Sequence, residues 1–290
     1  MPDEPLCLLS VHAHPDDEAS KGAGTVARYA AEGIRGVLVC CTGGEEGDIL
    51  NPVMDTPEVR ADLHAVRLGE LDASVAAIGY ASLHLLGYRD SGMKDSPANA
   101  NPANFANAPF EEAVERLVRI IRSERPQVII TYGDERAFYP HPDHVRVHEI
   151  SGPAFAAAGD PTAYPDAGPP WSPSKLYETG WAQRRVRALH EAFLARGEPS
   201  PYADWFERGF DDRYDGRFTT LVDVSDFLHK RREALVAHRT QVDPEGFWMR
   251  LPDEVVREVF PWEEFALVES RVATGVAPGE PETDLFAGLR

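Results

Sequence analysis

The stretch Leu6-Cys7-Leu8-Leu9-Ser10-Val11-His12-Ala13-His14-Pro15-Asp16-Asp17-Glu18 decides how the rest of the chain is read. It opens with a short apolar run, the pattern of a strand buried on both faces. It then turns abruptly polar, with one imidazole, His14, and three carboxylates, Asp16, Asp17 and Glu18, in five residues. A helix is expected next over about residues 23–32, with Gly33 placed to close it.

Working outward, the alternation continues. Gly36–Cys41 reads as a second strand, rich in Val and Leu. Thr56-Pro57-Glu58 is a helix start, with Thr as cap and Pro in the first turn, and that helix should run to Ile78 before Gly79. Ser82–Leu86 and Val128–Thr131 are the third and fourth strands; Phe110–Glu124 is a helix, broken by Pro126, and another starts near Asp143. The pattern implies an α/β fold, a Rossmann-like, mostly parallel sheet with helices on both faces. Ligands bind such sheets at the carboxyl ends of the strands. The polar clusters fall there: His14–Glu18, Thr42–Asp48, Arg89–Lys94 and Gly133–His144.

The second half is less regular. Gly159–Pro173 is a Pro/Gly/Asp-rich boundary, followed by strands at Leu176–Gly180 and Phe218–Val224 and helices at Gln183–Ala195 and Ser225–Arg239. The expectation is one domain over 1–290: a core sheet over 1–158, a subdomain over 159–274 closing the site, and a flexible tail over 275–290, whose Pro/Gly/acidic composition gives it little reason to fold alone.

Composition narrows the function. The 290 residues are 43% hydrophobic and 27% charged, an ordinary globular balance, with a formal net charge of −19. That charge repels phosphate backbones and anionic membrane surfaces, so neither nucleic acid nor membrane is expected as a partner. No segment reaches the roughly 20 apolar residues that span a bilayer, and His12 interrupts the first apolar run too early for a signal peptide. Cys7, Cys40 and Cys41 form no CxxC pair and read as buried free thiols, so a cytoplasmic location is expected.

Two segments carry the chemistry: Ala13-His14-Pro15-Asp16-Asp17-Glu18, and Tyr139-Pro140-His141-Pro142-Asp143-His144. Carboxylates packed so closely repel one another unless a cation sits among them. Any one of these histidines alone reads as a cap or a packed residue; together, on strand ends that converge, they point to a divalent metal. Two His and one carboxylate leave positions open for water and substrate, and a spare carboxylate beside the metal can act as general base. Spacing alone does not separate Asp16 from Asp17 in those roles.

These two motifs, AHPDDE after an apolar strand and HPDH a little over a hundred residues later, resemble the PIG-L/LmbE family of metal-dependent amino-sugar N-deacetylases. Further segments, AHPDDEASKG, GEEGDILNP, RLGEL, GYRDSGM and HRTQVDPEGFW, look most like its mycothiol-conjugate amidase branch. The resemblance implies that His14, Asp17 and His144 bind Zn2+, with Fe2+ also accommodated. It implies Asp16 as general base, and His141 with Tyr139 as groups that stabilise the oxyanion, His141 also serving the leaving amine. Asp143 and Glu18 would orient imidazoles. Arg67, Asp90, Lys21 and Glu46 are the matching candidates for substrate binding, the substrate being a small amino-sugar/thiol conjugate. The rivals are a deacetylase of N-acetylglucosaminyl-inositol, a non-haem iron oxygenase sharing the two-His-one-carboxylate set, and a sugar-binding protein with a vestigial site. His12 reads as a wall residue and His148 as packing, since no HExxH pattern includes it; whether His238-Arg239-Thr240-Gln241 reaches the site is left open.

Overall fold

The computed structural model describes residues 5–207, 212–277 and 279–290. In chain order the elements are β1 (Cys7–His12), α1 (Asp17–Ser20), α2 (Ala23–Ala31), β2 (Arg35–Thr42), α3 (Pro57–Ala61), α4 (Leu63–Ile78), β3 (Ser82–Tyr88), α5 (Phe110–Glu124), β4 (Val128–Tyr132) and α6 (Pro142–Ala158). They continue with β5 (Lys175–Gly180), α7 (Gln183–Ala195), α8 (Ala203–Glu207), β6 (Thr220–Asp223), α9 (Leu228–Ala237), α10 (Phe247–Arg250), α11 (Asp253–Val259) and β7 (Trp262–Ser270).

One seven-stranded sheet runs β3-β2-β1-β4-β5-β7-β6. The first five strands are parallel, and β7 lies antiparallel between β5 and β6. The α/β, Rossmann-like expectation therefore holds. From β1 the chain winds one way through β2 and β3, then returns to the other side of β1 as β4. The reversal leaves a crevice between the carboxyl ends of β1 and β4, where such folds bind ligands.

Strand periodicity divides the core. Leu9, Val11, Val37 and Val39 face α5 and α6, packing with Leu117, Ile121, Val147 and Ile150. Leu8, Leu38 and Ile130 face the other way, against Val26, Leu71 and Leu235 of α2, α4 and α9. Each such side chain contributes on the order of 1.5–3 kcal/mol by burial, so slipping β1 by one residue would forfeit both faces at once.

Two expectations are corrected and one element is new. The helix over 56–78 is two helices, because Asp62 supplies a second N-cap, accepting from the Ala65 amide at 3.3 Å. Strand β7 was not anticipated; two acids, Glu263 and Glu264, are buried in it and break its apolar pattern. The tail is not loose at its end. Leu285 and Phe286 are fully buried, and Glu282 accepts from Lys175 Nζ at 2.5 Å and Thr220 Oγ1 at 2.9 Å. A buried lysine on β5 needs a counter-charge, and the C-terminal segment provides it. No helix among the described residues is long and apolar enough to cross a membrane.

Candidate metal-binding active site

The chain leaves β1 through a turn that only a strained residue completes. Asp16 has φ 114°, an uncommon conformation for a non-glycine residue. The neighbours hold it there from two sides. Its amide donates to Glu18 Oε2 at 3.0 Å, and Arg67 Nη2 binds both the Pro15 carbonyl and, at 3.0 Å, Asp16 Oδ2. Arg67 reaches this position through space that glycines leave open: a Cβ on Gly44 or Gly47 would lie 2.4 Å from its guanidinium.

The expected ligand residues meet at the crevice. Asp17 Oδ2 lies 3.4 Å from His14 Nδ1 and 3.4 Å from His144 Nε2. The opposite ring nitrogens are occupied: His14 Nε2 donates to Asp143 at 3.2 Å and His144 Nδ1 donates to Glu135 at 2.7 Å. Anchoring the outer nitrogen fixes the ring and leaves the inner lone pair for a cation. Asp143 is itself held by the Ser91 amide at 2.9 Å and the Ser91 hydroxyl. Lys21 Nζ takes the other oxygen of Asp17 at 2.6 Å, so Oδ2 alone faces the two imidazoles. One His-Asp-His triad with tied outer nitrogens fits a divalent metal. A second grouping, His14, Asp90, His141 and Asp143, shares His14 and lies beside it.

His141 caps α6, its Nδ1 accepting from the Asp143 amide at 3.2 Å. In the neutral ring the proton then sits on Nε2, which can donate. Its ring lies 4.4 Å from that of His14. Tyr139 is partly exposed and stands edge-on to His144 at 4.9 Å.

Electrostatics follow from this crowding. Burial opposes charge on His14, but Asp90, Asp143 and Asp17 hold it well above the usual imidazole range. Burial likewise opposes charge on Asp17, yet Lys21 and His144 hold its carboxyl well below the usual value. Burial and the neighbouring imidazoles push His141 down to about 3. Burial raises Asp16, with Arg67 opposing.

The expected substrate residues are placed differently from one another. Arg67, only 2% exposed, serves the turn around Asp16, and Lys21, half-buried, pairs with Asp17 while lying 5.2 Å over the Tyr132 ring. Asp90 is buried 3.6 Å from His14 Nε2 and accepts from the Gly92 amide. Glu46 lies at the rim, paired with Arg89. Glu70, three residues after Arg67 on α4, binds the Thr240 amide at 2.8 Å and hydroxyl at 2.6 Å.

Several residues went unread in the sequence. Glu135, which holds His144, sits in an acidic loop with no distinguishing spacing. Ser91 and Ser74 carry no signal by type. Tyr132 ends β4 as an apolar residue would, yet its hydroxyl accepts from the Ala13 amide at 3.0 Å and meets His12 Nδ1 at 3.0 Å. His238, left open before, is fully buried and donates to Glu18 Oε1 at 2.5 Å.

Residues 9–155 match the family described as PIG-L: GlcNAc-PI de-N-acetylase. Over 98% of both chains, the sequence is 45% identical to mycothiol S-conjugate amidase of Streptomyces coelicolor. It is 41% identical to the 1D-myo-inositol 2-acetamido-2-deoxy-alpha-D-glucopyranoside deacetylase of Geodermatophilus obscurus, over 97% of each. Among solved structures, N,N'-diacetylchitobiose deacetylase from Pyrococcus horikoshii shares the fold, with TM-score 0.63 at 19% identity, covering 90% of this chain and 83% of that one.

Proposed function

The chain belongs to the PIG-L family, whose members hydrolyse carbon–nitrogen amide bonds, and from that premise we propose that it is a zinc-dependent amidase of mycothiol S-conjugates. Water would be added across the amide between the glucosaminyl amine and the S-substituted N-acetylcysteine. The products are glucosaminyl-inositol and a mercapturic acid, and the role is detoxification. The observation that carries the reading is the triad His14, Asp17 and His144, gathered around one carboxylate oxygen with each imidazole tied behind to an acid.

His14, Asp17 and His144 would hold zinc or iron(II), which would supply Lewis acidity to a water and to the amide carbonyl. Asp16, beside the triad and outside it, takes the proton from the attacking water. Arg67 and Glu18 keep that carboxylate and its backbone fixed. His141 donates from Nε2 to the oxygen that becomes negative as the carbonyl carbon turns tetrahedral, with Tyr139 as a further donor. The proton taken up by Asp16 can pass on to the departing amine, while neutral His141 keeps its Nε2 proton for the oxyanion. Asp143 and Glu135 keep His14 and His144 in the tautomers that bind. Asp90 and Glu46 are the carboxylates that would meet polyol hydroxyls of the substrate.

The second reading is the deacetylase, identical chemistry on an acetyl group, supported by the 41% identity to that relative. Cleavage of a bimane–mycothiol conjugate, beside acetate release from N-acetylglucosaminyl-inositol, separates them. Conjugate cleavage that disappears with a chelator and in Asp16→Ala supports the amidase. Acetate release without conjugate cleavage selects the deacetylase, and failure on both substrates overturns the assignment.

A further inference from the structure

A second pocket lies away from the metal triad, between α7, α9 and α10. Trp181, Tyr202, Phe247 and Trp248 wall it, and Arg185 and Arg231 line it with them. The Trp181 and Trp248 rings stand nearly perpendicular, 5.4 Å apart. Arg185 lies 4.6 Å from the Trp181 ring centre and Arg231 lies 5.2 Å from that of Trp248. Cation–π contact is their closest compensation: among the described residues neither guanidinium makes an ion pair or a hydrogen bond, and Glu263 and Asp253 act on Arg231, and Glu264 on Arg185, only from further off.

That is costly, because Arg185 is only 8% exposed and Arg231 Nε is buried without a partner. The surrounding acids are engaged elsewhere. Asp253 holds Arg232 Nε at 2.8 Å, Glu263 takes the amides of Gly24 and Thr25, and Glu264 takes the Ala182 amide and Arg184 Nε, each at 3.0 Å. Arg232, the neighbour of Arg231, is thus fully paired while Arg231 is not. Burial and the closeness of Arg185 push the Arg231 guanidinium down to about 10. Two unpaired cations side by side in a chain of net charge −19 call for an anion.

The cavity they share has a volume of about 40 Å³. At roughly 10–15 Å³ for each water-sized group, it holds about three such groups. We propose that Arg185 and Arg231 form a binding site for a small monovalent anion, a carboxylate head or a halide, between the faces of Trp181 and Trp248. The guanidiniums donate the hydrogen bonds, and the rings exclude water and larger ligands. The site is distinct from the metal triad yet shares a helix face with it. Leu228, Arg231 and Leu235 line the pocket, and His238, seven residues beyond Arg231 and about 10 Å further along the axis, contacts Glu18.

The test uses the full-length protein at constant ionic strength, replacing the sodium salt of 2-morpholinoethanesulfonate, a bulky anion with no carboxylate, by sodium chloride or sodium acetate. Tryptophan emission should shift saturably, and Tm should rise saturably by on the order of 3 °C. Arg185→Gln and Arg231→Gln should each abolish both responses. Preference for acetate over chloride assigns the site to carboxylates, and the reverse assigns it to halides. A response that is linear in anion, or that is the same in either variant as in the parent, overturns the proposal. The saturability of the unsubstituted protein decides the matter even where a variant does not fold.

Discussion

His238 Nε2 lies 2.5 Å from Glu18 Oε1, joining the end of α9 to the turn after β1 across 220 residues of sequence. Both side chains are fully buried, and Glu18 also accepts from Ser74 and from the Asp16 amide. His238 therefore acts on the crevice through Glu18, by keeping the strained Asp16 backbone in place.

Replacing His238 by Ala should lower kcat by about tenfold, equivalent to ~1.4 kcal/mol, with little change in KM. It should also cost about 1–3 kcal/mol in stability, since it leaves Glu18 short of a partner in the core. Steady-state kinetics beside urea unfolding checks both. A change confined to stability, with kcat intact, would show that the contact serves packing alone.

Glu135→Gln tests the acid behind His144. An outer carboxylate of this kind is worth about 10–100-fold in metal affinity. Competition with a chelator should show zinc binding weakened by that factor, while the fold, read by circular dichroism, is unchanged.

Lys175 and Glu282 form a buried pair between β5 and the C-terminal segment. Lys175→Met should destabilise by about 3–5 kcal/mol, because it leaves the Glu282 carboxylate buried and uncompensated. The double variant Lys175→Met/Glu282→Leu should recover most of that loss in denaturant titrations.

Glu124, at the opposite end of the sheet from the metal triad, predicts an acid-side dependence. Burial opposes its charge, but Arg35 and His84 hold its carboxyl below its ordinary value of 4.5. A depressed folded value means that the contribution is fully present above pH 4.5 and is lost as pH falls through the folded value. The Tm difference between the parent and Glu124→Gln should therefore be constant above pH 4.5 and shrink below it. A difference that grows on acidification would contradict this.

The parallel core was legible because strands buried on both faces are short apolar runs, and β1, β2 and β4 are such runs; β3, at the sheet edge and partly exposed, was legible from its leucines. The junction at Asp62 and strand β7 were not, for a common reason. Asp62, Glu263 and Glu264 are polar residues satisfied by backbone amides, and an amide partner leaves no mark in the composition of a segment. The same reason hid Ser91 and Tyr132.

The sequence by itself determined the residue types able to hold a metal, the strand ends that carry them, and, through motifs dense enough to identify, the family. Only the tertiary structure decided which groups serve which. It turned Arg67 and Lys21 inward onto Asp16 and Asp17, put Glu135 behind His144, and brought His238 to Glu18. Local spacing is fixed by the covalent chain, whereas the pairing of buried charges depends on distances across the fold, where each one must find a partner because water is excluded.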